Sequence, residues 1–206
     1  MDEEKIELLN KLMKDDEDSE FSESSKIQIE SNDSKGMSIL YDWVQCILIA
    51  FIAVAILLTF AFRVINVDGD SMMNTLFNAD KVVVSQLFYT PKEGDVVVIS
   101  HGAQFQKPII KRVIATAGQT LDINFETGEV VVDGIVINED YIIGETRKGN
   151  AEIPNVIPEG KVFVMGDNRS VSLDSRFEEI GLINETDIIG KAEFVFFPFE
   201  HFGFVG

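Results

Sequence analysis

Three short segments hold the residue types that could carry covalent chemistry. In the first, VDGDSMMNTL, Ser71 follows Asp68, Gly69 and Asp70. Those three favour a turn, so Ser71 is expected to open a loop with its backbone N–H pointing inward. A serine hydroxyl attacks poorly until a neighbouring base takes its proton. Taken alone, a serine here is equally an ordinary turn residue. The second segment is PIIKRVIAT, where the strand period puts Ile109, Lys111 and Val113 on one face and Ile110, Arg112 and Ile114 on the other. A lysine between β-branched neighbours is desolvated, which disfavours the ammonium. To serve as a base near neutrality its pKa must fall from about 10.4 toward 7–8, a differential of roughly 3–5 kcal/mol. The plainer reading is a surface lysine with a snorkelling stem. In the third segment, GDNRSVSLDSR, Asp167, Arg169, Ser170, Ser172, Asp174, Ser175 and Arg176 crowd eleven positions after the apolar run KVFVM. Asp–Arg pairs can satisfy such a loop bidentately. It is a self-pairing turn, or else a place from which one hydroxyl holds an amine against a serine.

Composition narrows the setting. The 206 residues are 46% hydrophobic and 25% charged, the balance of a folded chain. A net charge of −18 excludes a general nucleic-acid binder, because phosphate contacts need clustered Lys and Arg. The single cysteine, Cys46, excludes an internal disulfide and a Cys-rich zinc site. With His101 and His201 as the two histidines, there is little material for a metal centre, and none is expected.

Residues 1–42 carry thirteen Asp/Glu against five Lys and read as an acidic, largely disordered tail, in which Ile6, Leu9, Leu12 and Met13 could form a short amphipathic turn. Residues 43–62 contain no charge. Twenty residues at about 1.5 Å each give about 30 Å, the thickness of bilayer hydrocarbon. Tyr41 and Trp43 stand at one end, where amphipathic rings prefer the interface. A buried core helix of this length would carry a polar face, and a cleavable leader would not follow some forty acidic residues. The segment is read as one transmembrane anchor. Lys26 and Lys35 precede it and Arg63 follows it, which favours a cytoplasmic N-terminus.

From residue 63 to 206 the texture is β. VINVDG, KVVVSQLFY, DVVVIS, PIIKRVIAT, TLDINF, EVVVDGIVI, KVFVMG and KAEFVFFPF are short β-branched or aromatic runs punctuated by Gly and Asp. Hairpin turns are expected at Glu126–Glu129 and Asp133-Gly134. The fold class is mainly β: antiparallel folded sheets or a barrel-like domain after one N-terminal transmembrane helix, with a smaller hairpin-rich insertion around 119–160. A short helix is expected near DSRFEEIGLI.

Together these segments resemble the bacterial type I signal peptidases, membrane-anchored Ser/Lys proteases. The family's serine box, roughly G-x-S-M-x-P-T-L, is matched by Gly69-Asp-Ser-Met-Met-Asn-Thr-Leu76 except at Asn74. Gly94–Val98 matches G-D-V-V-V, Lys111–Ile114 matches K-R-V-I, and Gly166–Arg176 completes G-D-N-R-x-x-S-x-D-S-R. Gly190–Pro198 fits the family's last strand. The resemblance implies Ser71 as nucleophile and Lys111 as general base, with Ser172 orienting the lysine amine. It further implies that Asp167, Arg169, Asp174 and Arg176 hold the last box together by ion pairing, and that the Ser71 N–H is one oxyanion donor. Gly69 stands where some relatives place a second, hydroxylic donor. Asn74 removes the fixed φ of a proline, and Ala115–Gln119 lacks the family's usual proline and acid.

The function so implied is removal of signal peptides from exported preproteins through an acyl-enzyme, with no cofactor or metal. Its partners are those signal peptides, the lipid bilayer and the secretion translocon, not nucleic acid. The protein is expected in the plasma membrane, single-pass, with an extracytoplasmic catalytic domain. Alternatives are a catalytically impaired membrane scaffold, a self-cleaving repressor (which would need a DNA-binding domain) and a Ser-His-Asp triad through His101. Both histidines otherwise read as surface-loop residues, Met72 as either core or pocket wall, and the phenylalanines of 194–204 as strand core or lipid contact.

Overall fold

The computed structural model describes residues 40–100 and 107–205. The acidic tail up to residue 39 and His101 therefore lie outside the described residues. An apolar helix, α1 (Leu40–Ala61), is long and apolar enough to cross a membrane and is almost wholly exposed. Its length and composition suit a bilayer span. It covers most of the expected 43–62 segment, and Phe62 opens the following strand. The described chain divides inside α1, at Ile56/Leu57.

Eleven strands follow: β1 (Phe62–Asn66), β2 (Lys81–Ser85), β3 (Val96–Ile99), β4 (Ile109–Ala115), β5 (Leu121–Ile123), β6 (Val130–Val132), β7 (Ile135–Val136), β8 (Lys161–Met165), β9 (Ile183–Asn184), β10 (Ile188–Phe197) and β11 (Gly203–Phe204). Each expected β run overlaps at least one of them, and β9 and β11 were not expected. The main sheet has the order β1-β2-β10-β3-β4-β8-β9, with β11 also on β10, and all its pairs are antiparallel. β10 thus lies between two strands formed about a hundred residues earlier. Neither end strand, β1 or β9, pairs with the other among the described residues.

The chain's Val-rich strands follow from burial on both faces. Val96 and Val98 of β3 enter one core cluster, with Met72, Leu76, Val82, Val84 and Val195. Val97 and Ile99 enter another, with Val113, Val162 and Val164. A strand covered on both sides loses the apolar/polar alternation. A third cluster packs Ile114, Phe163 and Met165 against Leu121, Val130 and Val132, so the small β5-β6-β7 sheet rests on β4 and β8. Its β6–β7 hairpin turns through Asp133 (φ 50°) and Gly134 (φ 77°), the left-handed pair that a two-residue loop requires.

The helix expected near DSRFEEIGLI is absent. Phe177, Ile180 and Gly181 close single turns onto Asp174 and Phe177. Gly181 at φ 58° and the immediate entry into β9 stop propagation. The other 3-10 turns fall at Glu185–Asp187 and Phe199–His201.

β10 approaches β2 closely enough that a Cβ on Gly190 would stand 2.0 Å from the Ser85 carbonyl oxygen. Backbone cannot rotate away, so Gly190→Ala should destabilise the fold by about 2 kcal/mol. In detergent-solubilised protein this should lower the melting temperature by about 4–8 °C; an unchanged melt would mean the strands can separate freely.

Candidate active site

Ser71 sits in the loop between β1 and β2. The loop is shut at its base by Val67 N–H to the Asp80 carbonyl (2.8 Å) and Ala79 N–H to the Val67 carbonyl (2.9 Å). Asp80 is buried, and its carboxylate accepts from Phe77 N–H at 2.8 Å and meets His201 Nδ1 at 2.7 Å. His201 also packs on Phe77, with ring centroids 4.4 Å apart. It is a fastening of this loop rather than a free surface histidine. Gly69, at φ 101°, makes the turn that Asp68-Gly-Asp promised, and its N–H is bound to Asn78 Oδ1 at 3.0 Å. After Ser71 the turn is closed by Thr75 and Leu76 N–H on the Met72 carbonyl, at 2.9 and 2.8 Å. Those bonds hold it without the family's proline. Met72 is 1% exposed and belongs to the core, and it also borders a small hollow beside Ser71.

Lys111 comes from the middle of β4 and is 4% exposed. Its Nζ lies 2.7 Å from Ser71 Oγ. Burial lowers its pKa from 10.5 to about 8; Asp174 and Asp167 pull it upward and Arg176 pushes it down. The Ser71 N–H has no hydrogen-bond acceptor among the described residues.

The segment 166–176 encloses this pair. Asn168 N–H donates to the Ser71 carbonyl at 3.0 Å and its Nδ2 to the Asp70 carbonyl at 3.1 Å, fixing the peptide groups around the serine. Gly166 leaves room for both: a Cβ there would stand 2.5 Å from the Ser71 carbonyl oxygen and 2.2 Å from Ser172 Oγ. Ser172 is buried, and its hydroxyl finds no partner at ordinary hydrogen-bond geometry among the described residues. Asp174 is the acceptor close enough to feel it. The hydrogen bond from Ser172 to the Lys111 amine is not formed here.

The ion pairs differ from the self-contained box that was expected. Asp174 and Arg176 do pair within it, bidentately at 2.8 Å each. Burial alone would raise Asp174; the Arg176 guanidinium and the Gly166 N–H outweigh it and hold the carboxyl below its ordinary value. Asp167 instead pairs with Arg112 of β4, at 2.9 and 2.8 Å, and accepts from Thr75 Oγ1 of the serine loop. Arg169 reaches out to Glu139 and Thr146. Arg112 also donates to the Gly94 carbonyl at 2.8 Å and lies over the Tyr141 ring, 3.9 Å from its centroid. Sequence reasoning had passed over Thr75, Arg112 and Glu139. The alternation on β4 carried a signal for Arg112: if Lys111 turns toward the serine, the next cation turns the other way and needs a buried acid.

The chain matches the model of the family described as "Signal peptidase, peptidase S26" over residues 40–197. The chain belongs to this signal peptidase family. It is a serine endopeptidase, a hydrolase, with one helix suited to a single membrane pass. It is similar to Signal peptidase I P of Bacillus subtilis subsp. natto, 37% identical over 172 residues that cover 78% of this chain and 91% of that one. A probable signal peptidase I-1 of Synechocystis sp. is 36% identical over 174 residues, covering 79% and 85%. A crystal structure of a signal peptidase I from Enterococcus faecalis V583 aligns with a TM-score of 0.41 at 22% identity, covering 50% of this chain and 97% of that one. Among the described residues of this family member, no group of three or more His, Cys, Asp or Glu is placed to hold a metal ion.

Replacing Asp167 would leave the Arg112 guanidinium, 2% exposed, without its counter-ion. Asp167→Asn should therefore destabilise the signal peptidase by about 3–5 kcal/mol, seen as a lower urea midpoint. A midpoint equal to wild type would show that Thr75, Gly94 and Tyr141 suffice for Arg112.

Proposed function

We propose that Ser71 is the nucleophile and Lys111 the general base of a dyad that removes signal peptides from exported preproteins. The observation that carries this reading is the buried Lys111 amine 2.7 Å from Ser71 Oγ, with its pKa lowered to about 8. Neutral Lys111 takes the Ser71 proton as Oγ attacks the scissile carbonyl. The unbonded Ser71 N–H stabilises the oxyanion. The lysine ammonium then protonates the leaving amine, and neutral Lys111 activates the water that hydrolyses the ester. Ser172, buried beside Gly166 and Asp174, is in this reading a positioning residue for the lysine.

Topology supports an extended substrate. β1 is an edge strand, and β4 pairs with β8 only from Arg112 onward, so both β1 and Ile109–Lys111 have a free side. A hollow of about 80 Å³ lies there, lined by Ile65, Val67, Met72, Pro108 and Ile110 beside Ser71 and Lys111. It suits a small apolar side chain such as alanine before the cut. Residues 63–206 form the peptidase domain in this reading, 119–160 its insertion and 43–62 the anchor. The eight residues from Arg63 to Ser71 reach at most about 25–30 Å. The nucleophile is thereby kept near the membrane face where the substrate helix ends. The Lys26/Lys35 bias favours an N-terminus in the cytoplasm, with the site on the outer side where the translocon delivers preproteins.

Ser71→Ala and Lys111→Met should each lower precursor cleavage at least about 10³-fold, with the new N-terminus sequenced to locate the cut. Survival of cleavage in either variant would overturn the dyad. For the wild type, kcat/KM should rise with pH through about 8 as Lys111 loses its proton. The same displacement from 10.5 to about 8 means that the unfolded chain binds the extra proton between those values. The stability penalty is complete below pH 8 and fades as pH climbs to 10.5. It amounts to about 3 kcal/mol, so Lys111→Met should melt higher than wild type at pH 7 while losing activity.

A further inference from the structure

Ser71 and Lys111 border a second hollow, an open cleft of about 540 Å³ whose far wall is Asp70, Asn168, Val171, Leu173 and Ile180. A peptide acylating Ser71 from the small apolar hollow continues past the scissile bond into this cleft, since the two hollows meet at the dyad. The open cleft therefore receives the first residues of the mature chain. Its floor and its charge differ from those of the small hollow. Val171 and Leu173 are exposed apolar side chains. The Asp68 carboxylate, shared by both hollows, is already matched by Lys107 at 3.2 Å. The exposed Asp70 carboxylate, next in sequence to the nucleophile, meets neither a cation nor a hydrogen-bond donor among the described residues. Among the described residues no arginine lines the cleft, and its one lysine is the buried Lys111, whose pKa is lowered by burial rather than moved by Asp70.

We propose that this cleft is a binding site for the start of the mature chain and that Asp70 selects for lysine or arginine there and against acidic residues. A long cationic side chain can rest its aliphatic stem on Val171 and Leu173 and bring its head to the carboxylate. A glutamate at the same place meets a like charge on a chain that is already strongly acidic. The proposal rests on the Ser71/Lys111 dyad argued above.

The test uses the full-length enzyme in detergent and three precursors, identical except for Lys, Gln or Glu at the second mature residue. Wild type should prefer Lys to Glu in kcat/KM by about three- to tenfold at low salt, the size expected of an exposed charge pair set against an exposed repulsion, and less at high salt. Asp70→Asn should bring the ratio near one, and Asp70→Lys should invert it. Asp68→Asn should move it much less, because Lys107 already offsets that charge. The ratio compares two substrates on one enzyme, so partial misfolding of a variant leaves it unchanged. A wild-type ratio of one, or a preference that survives Asp70→Asn, overturns the proposal while leaving the dyad intact. Cleavage that persists in Ser71→Ala would instead remove the dyad, and this inference with it.

Discussion

Everything at the site turns on the weakened hold of one buried amine on its proton, in a place crowded with ions. Lys111 has two carboxylates close enough to favour its ammonium, Asp167 and Asp174. Each carboxylate is bound bidentately by its own guanidinium, Arg112 and Arg176 respectively. The lysine thus faces two nearly neutral pairs instead of two bare anions, and desolvation by the surrounding β-branched side chains decides the outcome. Were Arg176 missing, the bare Asp174 carboxylate would favour the ammonium more strongly. The ion pairs of segment 166–176 are therefore electrostatic insulation as much as structural ties.

The same pairs explain how distant parts of the chain become one site. Asp167 joins the serine loop through Thr75 to the lysine strand through Arg112. Asn168 grips the carbonyls of Asp70 and Ser71. Arg169 runs outward to Glu139, between the small sheet and the third segment. Each neighbouring residue of one short loop thus holds a different partner. A bidentate bond specifies direction as well as distance, so the loop positions Ser71 and Lys111 more narrowly than apolar packing alone would.

Much of this was readable in advance. The strand runs were legible because β-branched residues bounded by Gly and Asp leave few alternatives, and the two-residue Asp133-Gly134 turn has one natural geometry. The apolar helix declared itself by lacking charge. That Ser71 and Lys111 would meet was legible through the four boxes, not through their own types, since a turn serine and a strand lysine are each commonplace. What stayed hidden was long-range. Asp167 and Arg169 were expected to pair within their own segment, whereas they reach Arg112 and Glu139 outside it. His201 looked like a loop residue because nothing local points to Asp80, 121 positions away. The helix near DSRFEEIGLI failed because its apolar residues serve successive turns instead of one face.

The place of β10 carries a temporal meaning. It is the tenth strand along the chain and yet fills the gap between β2 and β3. During synthesis, which runs from the N-terminus, α1 leaves the ribosome long before that gap can be filled. A growing chain can therefore be inserted in the bilayer for some time as an anchored but unassembled precursor of itself. Residues 188–197 join the half of the sheet that leads into and out of the Ser71 loop to the half that carries Lys111, so that sheet is completed late in synthesis.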